Sequence, residues 1–374
     1  MIIHFIEPRK SQFAFQEIIS TLENNINVKS ILILACENDL DATIDVDSIL
    51  KKCKLPIFGA IFPQIIYQNQ NYSSGTLVVG IEQFVKTSVI HELSNPNLVF
   101  EDIFEIAPFE QDCKTVFLFV DAFARRIPAF IEGFFNIYGL EFNVIGAGAG
   151  HLDLVQHPCI FTNDGLLQDA AIIVGINVDS GVGVKHGWKD LSGPYKASSA
   201  VKNTLFSLDE EDAFSLYKRI IKEDSGKEIS AKNFFEIANA YPFGISRLGV
   251  EKIVRDPFNV SEDGSIFFLG NIPQGVYLHI LKGDSDSLIE AAADASSQAQ
   301  KNLISNNINK SILFIDCISR VLFLKEDFSS ELNAVYNPKI PMIGALTLGE
   351  IANNKKEYLE FYNKTAVVAI IEDL

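Results

Sequence analysis

The sequence lacks clustered basic residues and carries an excess of acid. Its 374 residues hold 31 Lys and Arg against 48 Asp and Glu, so the formal net charge is −17. No run of Lys and Arg is longer than two residues. A nucleic-acid-binding surface must displace counterions from phosphates, and an anionic membrane surface makes a similar demand. The charge pattern therefore argues against both kinds of partner.

Cysteines are few and scattered. There are five, an odd number, and no two lie within three residues of each other. This spacing argues against a disulfide framework and against a thiolate zinc site. We expect reduced thiols, mostly packed in the core, as in a cytosolic protein.

No segment has the pattern of a signal peptide or a membrane span. The N-terminus begins with apolar residues but is interrupted by His4 and Glu7 and has no basic leader. The apolar runs "AAIIVGI" and "TAVVAII" have the length of strands, far short of the ~20 residues that span a bilayer. We therefore expect a cytoplasmic protein without membrane insertion.

Familiar catalytic and cofactor motifs are missing. No P-loop, G-x-S-x-G or H-E-x-x-H is present, and no two histidines are spaced as metal ligands on a helix. The glycine run "GAGAG" from Gly146 follows a strand pattern, but "HLDLVQHP" after it does not open the helix that a dinucleotide fingerprint needs. We expect these glycines to let the backbone approach another segment or a small ligand closely.

What the sequence does have is an internal repeat. "LPIFGAIFPQII" from Leu55 resembles "IPMIGALTLGEI" from Ile340, and "FNVIGAGAG" from Phe142 is a third copy. In this comparison Gln64 is matched with Glu350. Each copy follows a short β-branched strand, namely "SILILACEND", "SILFIDCISR" or "TVFLFVDAF".

The repeat predicts the fold class. A helix–strand–helix–strand–strand unit occurs at least three times, which predicts an α/β protein with mixed sheets. We expect two pseudo-repeat domains, residues 1–205 and residues 206–374.

Polar side chains stand at the ends of two strands in the last copy. Asp316, Cys317 and Arg320 follow one strand, and Glu350 follows the next. Ligands of open α/β sheets bind beyond the carboxyl ends of strands, so Arg320 and Glu350 would clamp a zwitterion between guanidinium and carboxylate. The alternative is that the two side chains pair with each other or face solvent. Cys317 is the best candidate nucleophile, against the simpler role of a core cysteine.

Several motifs together resemble the FIST family. They are "CISR" from Cys317, "GALTLGEI" from Gly344, "FYNKT" from Phe361, "DGSIFFLGNIPQGVYLHI" from Asp263, "HGWKDLSG" from His186 and the glycine loop from Gly146. The resemblance covers about residues 28 to 371. It implies an intracellular sensory module that binds a small ligand, with amino acids as the usual suggestion, and signals to kinases, cyclases or chemotaxis receptors. Some members are linked to haem and nitric oxide.

The resemblance also implies a set of site residues. The polar positions of the family fall on Arg320, Thr347, Glu350, Asn363 and Thr365. Two departures are Tyr362, where the family has histidine, and His151, where it has an acid. The candidate ligand-binding residues are Arg320, Glu350, Thr347, Asn363, Cys317, Gly146, Gly148 and His151.

Three functions follow as hypotheses. The first is a non-enzymatic sensor of an amino-acid-like ligand that acts through a partner histidine kinase, cyclase or chemotaxis-type protein and needs no cofactor. The second is a haem-binding nitric-oxide sensor, since a single imidazole in an apolar pocket would suffice as an axial ligand. The third is a small-molecule hydrolase that uses Cys317 or Glu350.

Overall fold

The chain forms three copies of one α/β unit, with a β-domain inserted into the third. The computed structural model describes residues 1–7, 12–38, 45–106, 109, 112–247, 251–304, 309–372 and 374. The α/β class with mixed sheets of repeated units, predicted from the sequence, is confirmed.

The units follow one another along the chain. The first contains β1 (Ile2–Ile6), α1 (Gln12–Glu23), β2 (Ser30–Cys36), α2 (Val46–Lys52), β3 (Ile57–Phe62), β4 (Gln64–Tyr67), β5 (Gln70–Tyr72) and β6 (Thr76–Ile81). The second contains β7 (Val85–Ile90), α3 (Phe100–Ile106), β8 (Thr115–Asp121), α4 (Ile127–Tyr138), β9 (Asn143–Ala149), β10 (Ile160–Thr162), β11 (Gly165–Leu167) and β12 (Ala171–Ile176).

The third unit is split by the inserted domain. It opens with β13 (Ser180–Lys185). The insertion contains β14 (Lys189–Val201), β15 (Thr204–Leu208), β16 (Glu211–Asp212), α5 (Ala213–Ser225), α6 (Phe234–Ala238), β17 (Phe243–Ile245), β18 (Ile253–Val260), β19 (Ile266–Leu269) and β20 (Tyr277–Lys282). The unit resumes with α7 (Ser285–Asn302), β21 (Lys310–Cys317), α8 (Ile318–Leu324), a 3₁₀ turn (Lys325–Asp327), α9 (Phe328–Val335), β22 (Met342–Thr347), β23 (Glu350–Asn354), β24 (Glu360–Tyr362) and β25 (Ala366–Glu372).

The three units exchange hairpins in a cycle. Their six-stranded sheets have the orders β1-β6-β2-β3-β10-β11, β7-β12-β8-β9-β23-β24 and β13-β25-β21-β22-β4-β5. In each sheet one central pair is parallel, and the last two strands are a hairpin from another unit. The second and third sheets therefore contain strands from both sides of residue 205, and β15 spans that position. The predicted division into residues 1–205 and 206–374 stays a prediction.

The inner faces of the three sheets share one apolar core. Phe62 of the first sheet meets Phe119 of the second with ring centroids 6.0 Å apart, and Ala345 of the third belongs to the same buried cluster. The helices cover the outer faces: Leu118 packs with α3 and α4, and Phe314 packs with α7 and α9. Strands buried on both faces explain why the sequence shows continuous apolar runs rather than alternation.

The inserted domain is a closed barrel. Strands β14, β20, β17, β18, β19 and β15 pair in that order, and β14 pairs back onto β15. Helices α5 and α6 pack against its apolar interior. We refer to residues 189–282 as the inserted barrel.

One glycine in each unit marks the repeat. A Cβ atom at any of the three positions would lie 1.9 Å from a carbonyl oxygen of the neighbouring parallel strand, so only glycine fits. The pairs are Gly59 with Ile33, Gly146 with Leu118, and Gly344 with Phe314.

These glycines allow a direct test of the repeat. We expect Gly344→Ala to lower the free energy of unfolding by about 3 kcal/mol, the upper end of overpacking costs, because a backbone carbonyl cannot move aside. In Gly80→Ala the atoms nearest to the new methyl group belong to the side chains of Leu22 and Val28, which can shift, and the loss should be about 1 kcal/mol. Urea unfolding measures both. Equal losses would contradict the close strand approach.

Candidate functional site

Glu350 occupies a position that is isoleucine in the other two units. It lies opposite Ala147 on β9, just as Ile65 lies opposite Ala345 and Ile160 lies opposite Ala60. The match of Gln64 with Glu350 was therefore wrong by one residue. The carboxylate is peculiar to the third unit, so the repeat does not explain it.

The neighbours of Glu350 show the same replacement of apolar by polar side chains. Asp316 and Thr347 of the third unit are aligned by strand register with apolar residues of the others. The corresponding sets are Ala35, Phe62 and Ile65 in the first unit, and Val120, Ala149 and Ile160 in the second. Burying polar groups costs free energy, and two units fold without them at these positions. The polar set is therefore not a requirement of the fold.

Glu350 is fully buried and bound by its own unit. Its Oε1 accepts from the Thr347 hydroxyl at 3.0 Å, and its Oε2 accepts from the Thr365 backbone N–H at 3.2 Å. Burial raises the pKa of the Glu350 carboxyl to about 8, more than these hydrogen bonds lower it. The carboxyl is therefore largely protonated at pH 7.

Arg320 is also fully buried, and the protein uses all its donors. A guanidinium has five N–H groups. Nε donates to Glu331 Oε1 at 2.9 Å, and Nη2 donates one hydrogen to the same oxygen. The second hydrogen of Nη2 goes to the Leu288 carbonyl at 2.9 Å. Nη1 donates to the carbonyls of His186 at 2.7 Å and Lys364 at 3.3 Å. These five bonds leave no donor for a ligand, so Arg320 holds segments of the protein together.

The ionisable groups around Arg320 balance one another. Arg320 faces Glu331, and Lys364 faces Asp256 at 3.2 Å. Asp316 lies 3.1 Å from Arg320 Nε, but burial raises the pKa of this carboxyl well above its usual value. The interior is electroneutral when Asp316, like Glu350, carries a proton, which is the state that a low-dielectric interior favours.

Lys364 links the third unit to the inserted barrel. Its ammonium donates to Asn239 Oδ1 at 2.6 Å and lies 5.1 Å from the ring centre of Trp188. Its partner Asp256 belongs to β18 of the barrel. The segment that carries Thr365 and Lys364 therefore contacts Glu350 on one side and the barrel on the other.

A charged cleft lies at this junction. It has a volume of about 230 Å³. The core contributes the end of β13 and the segment after β24, and the barrel contributes the residues around the start of β18. Its lining includes Lys185, His186, Arg247, Glu251, Lys252, Glu357, Tyr362 and Thr365. Of the family positions, Thr365 and the departure Tyr362 reach the cleft, while Glu350 lies directly behind Thr365.

The lysine and arginine side chains of the cleft are paired within the protein. Lys185 Nζ lies 2.8 Å from Glu251 Oε2, and Lys252 Nζ lies 2.9 Å from Asp190. Arg247 forms an ion pair with Glu360. The cleft thus presents both signs of charge within a small space.

The other predicted residues fall into three places. Cys317 and Asn363 are buried beside the polar set, and Cys317 Sγ lies 3.1 Å from the Ser319 hydroxyl. The glycine loop touches the segment before Glu350, because Gly148 donates its N–H to the Gly349 carbonyl at 2.7 Å. Gly146 pairs with Ile351 in the sheet.

His151 lies apart from this group. Its half-buried ring contacts that of His157 in a tilted arrangement at a centroid distance of 4.6 Å, and burial lowers the pKa of its imidazole. His151 does not line the cleft. A direct ligand contact of His151 stays a prediction.

Sequence reasoning missed Lys185, Arg247 and Glu251. Lys185 ends β13, whereas Arg247 and Glu251 lie between β17 and β18 of the inserted barrel, and no spacing in the sequence brings them together. The segment "HGWKDLSG" was the available signal, since it opens with His186 of the cleft.

Metal sites, membrane-spanning helices and disulfides were sought in the structure. Within the described ranges, no group of three His, Cys, Asp or Glu side chains is placed to hold a metal ion. No helix of that part of the chain is long and apolar enough to cross a bilayer. All five cysteines are free thiols.

Comparison with known families identifies the chain. The FIST N domain matches residues 31–211, and the FIST C domain matches residues 213–353. The chain therefore belongs to the FIST family, as the sequence motifs predicted. FIST domains are associated with sensory and signal-transduction roles. No curated protein matches the chain.

The five-bond role of Arg320 predicts a large loss of stability on truncation. We expect Arg320→Ala to lower the free energy of unfolding by about 3–5 kcal/mol, because it leaves Glu331 buried without its partner. The matched control is Arg219→Ala, which removes an exposed arginine paired with Glu211 and should cost only a small fraction of that. Chemical denaturation measures both. Similar losses would contradict the central role of Arg320.

The raised pKa of Glu350 predicts a pH-dependent stability. At low pH the Glu350 carboxyl is neutral in both the folded and the unfolded protein. Above its unfolded pKa it is ionised only in the unfolded protein, so the free energy of unfolding falls as the pH rises toward the folded pKa. The wild type should therefore lose stability relative to Glu350→Gln as the pH rises from about 5 to 8.5, by about 4 kcal/mol. Denaturation of both proteins across this range gives the difference. A constant difference would show that Glu350 is ionised throughout.

Proposed function

We propose that this protein is a non-enzymatic cytoplasmic sensor that binds a small zwitterion of the amino-acid class in the cleft and signals through a partner protein. The observation that carries the proposal is the Lys185–Glu251 pair at 2.8 Å in the lining of the cleft. A zwitterion would insert between the two side chains, with its carboxylate on Lys185 and its ammonium on Glu251. The ligand would thereby replace one ion pair with two.

The size of the cleft supports a small ligand. At about 230 Å³ it lies below the ~300–1,000 Å³ that is usual for drug-sized molecules. A cleft of this size with both signs of charge suits a compact molecule that carries both charges. This chemistry agrees with the amino-acid class that the family resemblance implies.

The position of the cleft supports a signalling role. Thr365 lines the cleft, its backbone bonds to Glu350, and the adjacent Lys364 bonds to the inserted barrel. A ligand that moves this segment would change contacts in the core and in the barrel together. A partner histidine kinase, cyclase or chemotaxis-type protein would then respond to the changed arrangement of the α/β core and the inserted barrel.

The buried thiol favours binding over catalysis. Cys317 is 3% exposed, and burial raises the pKa of its thiol well above the usual value. A nucleophilic cysteine must be available as the thiolate. We therefore propose no hydrolase activity for Cys317. A haem-binding alternative would be recognised by a Soret band in protein purified from haem-supplied cells.

Thermal unfolding with amino acids tests the proposal. We expect at least one of the twenty proteinogenic L-amino acids to raise the melting temperature by a few degrees, because a ligand that binds only the folded state stabilises it. The N-acetyl and α-amide derivatives of the same amino acid, which each lack one charge, should shift it far less.

Two charge-removing variants locate the binding. Lys185→Met and Glu251→Gln should abolish the ligand-induced shift. The control variants Lys222→Met and Glu228→Gln break an exposed pair between α5 and the segment that follows it and should keep the shift. The proposal would be contradicted if no amino acid raised the melting temperature of the wild type. It would also be contradicted if all four variants showed the same ligand-induced shift.

A further inference from the structure

His186 has a fixed ring at the edge of the cleft. It follows β13, is 7% exposed and lines the cleft next to Lys185. The backbone N–H of Trp188 donates to its Nδ1 at 2.9 Å. Trp188 is itself fixed, because its indole N–H donates to the Lys364 carbonyl at 3.1 Å. The carbonyl of His186 accepts from Arg320, so both its ring and its backbone are held.

This hydrogen bond sets the tautomer of the ring. Because Nδ1 accepts a hydrogen bond, it carries the lone pair, and the neutral imidazole must carry its proton on Nε2. His186 therefore presents an N–H donor rather than an acceptor at Nε2.

The Nε2 donor is buried and has no hydrogen-bond partner in the described part of the chain. The nearest carboxylate oxygen is Glu251 Oε1 at 3.3 Å, without hydrogen-bond geometry. The same Oε1 accepts from the His186 backbone N–H at 3.3 Å, and Oε2 faces Lys185. An unsatisfied buried donor costs free energy, which a ligand acceptor would recover.

The ring stays neutral at physiological pH. Burial lowers the pKa of the His186 imidazole to about 4, and the cations Arg320, Lys185 and Lys252 act in the same direction. Glu251 opposes this change but does not outweigh it. Arg247, Glu357 and Tyr362 are the remaining titratable groups of the lining.

We propose that His186 is the specificity-determining donor of the cleft, and that its Nε2–H binds a carboxylate oxygen of the ligand. This rests on the proposed function, because the oxygen belongs to the zwitterion that separates Lys185 from Glu251. Lys185 forms an ion pair with the carboxylate, and the hydrogen bond from His186 fixes the orientation of the carboxylate. A neutral donor in a fixed ring discriminates by geometry, so it rejects molecules that have no acceptor at this point.

Two substitutions at the same position test this role. L-alanine, L-glutamine and L-glutamate serve as the probes in calorimetric titrations. We expect His186→Leu to weaken binding of the probe that the wild type binds by about tenfold or more, since a hydrogen bond to a charged acceptor is lost. His186→Gln keeps an N–H donor near the position of Nε2 and should stay within about threefold of the wild type. A His186→Leu variant that binds the probe as tightly as the wild type would overturn the proposal.

A measurement on the unmodified protein avoids any folding defect of the variants. ¹⁵N NMR of histidine-labelled protein should show His186 as the Nε2–H tautomer from pH 5.5 to 8, with the Nε2 signal moving when the bound probe is added. A ring protonated on Nδ1, or an Nε2 signal that does not move while the probe binds, would refute the role of His186. If none of the probes and no other amino acid binds the wild type, the proposed function itself fails, and the two failures are thus distinguishable.

Discussion

The buried guanidinium of Arg320 is the contact on which the arrangement of the third unit depends. Its five hydrogen bonds reach α9 through Glu331, α7 through Leu288, the end of β13 through His186, and the segment before β25 through Lys364. A lysine has three donors on a flexible stem and would not satisfy this geometry. Because two of these contacts are carbonyls of cleft or cleft-adjacent segments, Arg320 fixes the shape of the cleft without touching its contents.

The exchange of hairpins explains why a single repeat can support one specialised site. Each hairpin lies in the sheet of another unit, so β23, with Glu350, is held by β9 and its glycines rather than by its own sheet. The first two units keep isoleucine at the equivalent position and contribute stability. The third unit is thereby free to carry polar side chains at some cost in stability, as functional sites often do.

The sequence was sufficient for the fold class and for the family. The repeated Gly-Ala steps of the strands marked the three copies, because the close parallel approach at Gly59, Gly146 and Gly344 tolerates only glycine. The hairpin exchange was not predictable, since nothing local in a hairpin states which sheet it will join. The one-residue error at Gln64 has a different origin: the polar type of the side chain was given more weight than the spacing, which places Ile65 and Glu350 each six residues after the glycine of the Gly-Ala step.

The candidate site differs from the one expected from the sequence. Arg320 and Glu350 are both fully buried, and protein groups satisfy them. The cleft itself is formed by Lys185, Glu251 and Thr365 from three distant segments.

The most direct measurement of the central claim is a crystal structure of the protein grown with the amino acid that stabilises it most. The account predicts electron density for that molecule between Lys185 and Glu251, with the carboxylate toward His186. Density for the amino acid elsewhere, with the Lys185–Glu251 pair intact, would contradict it.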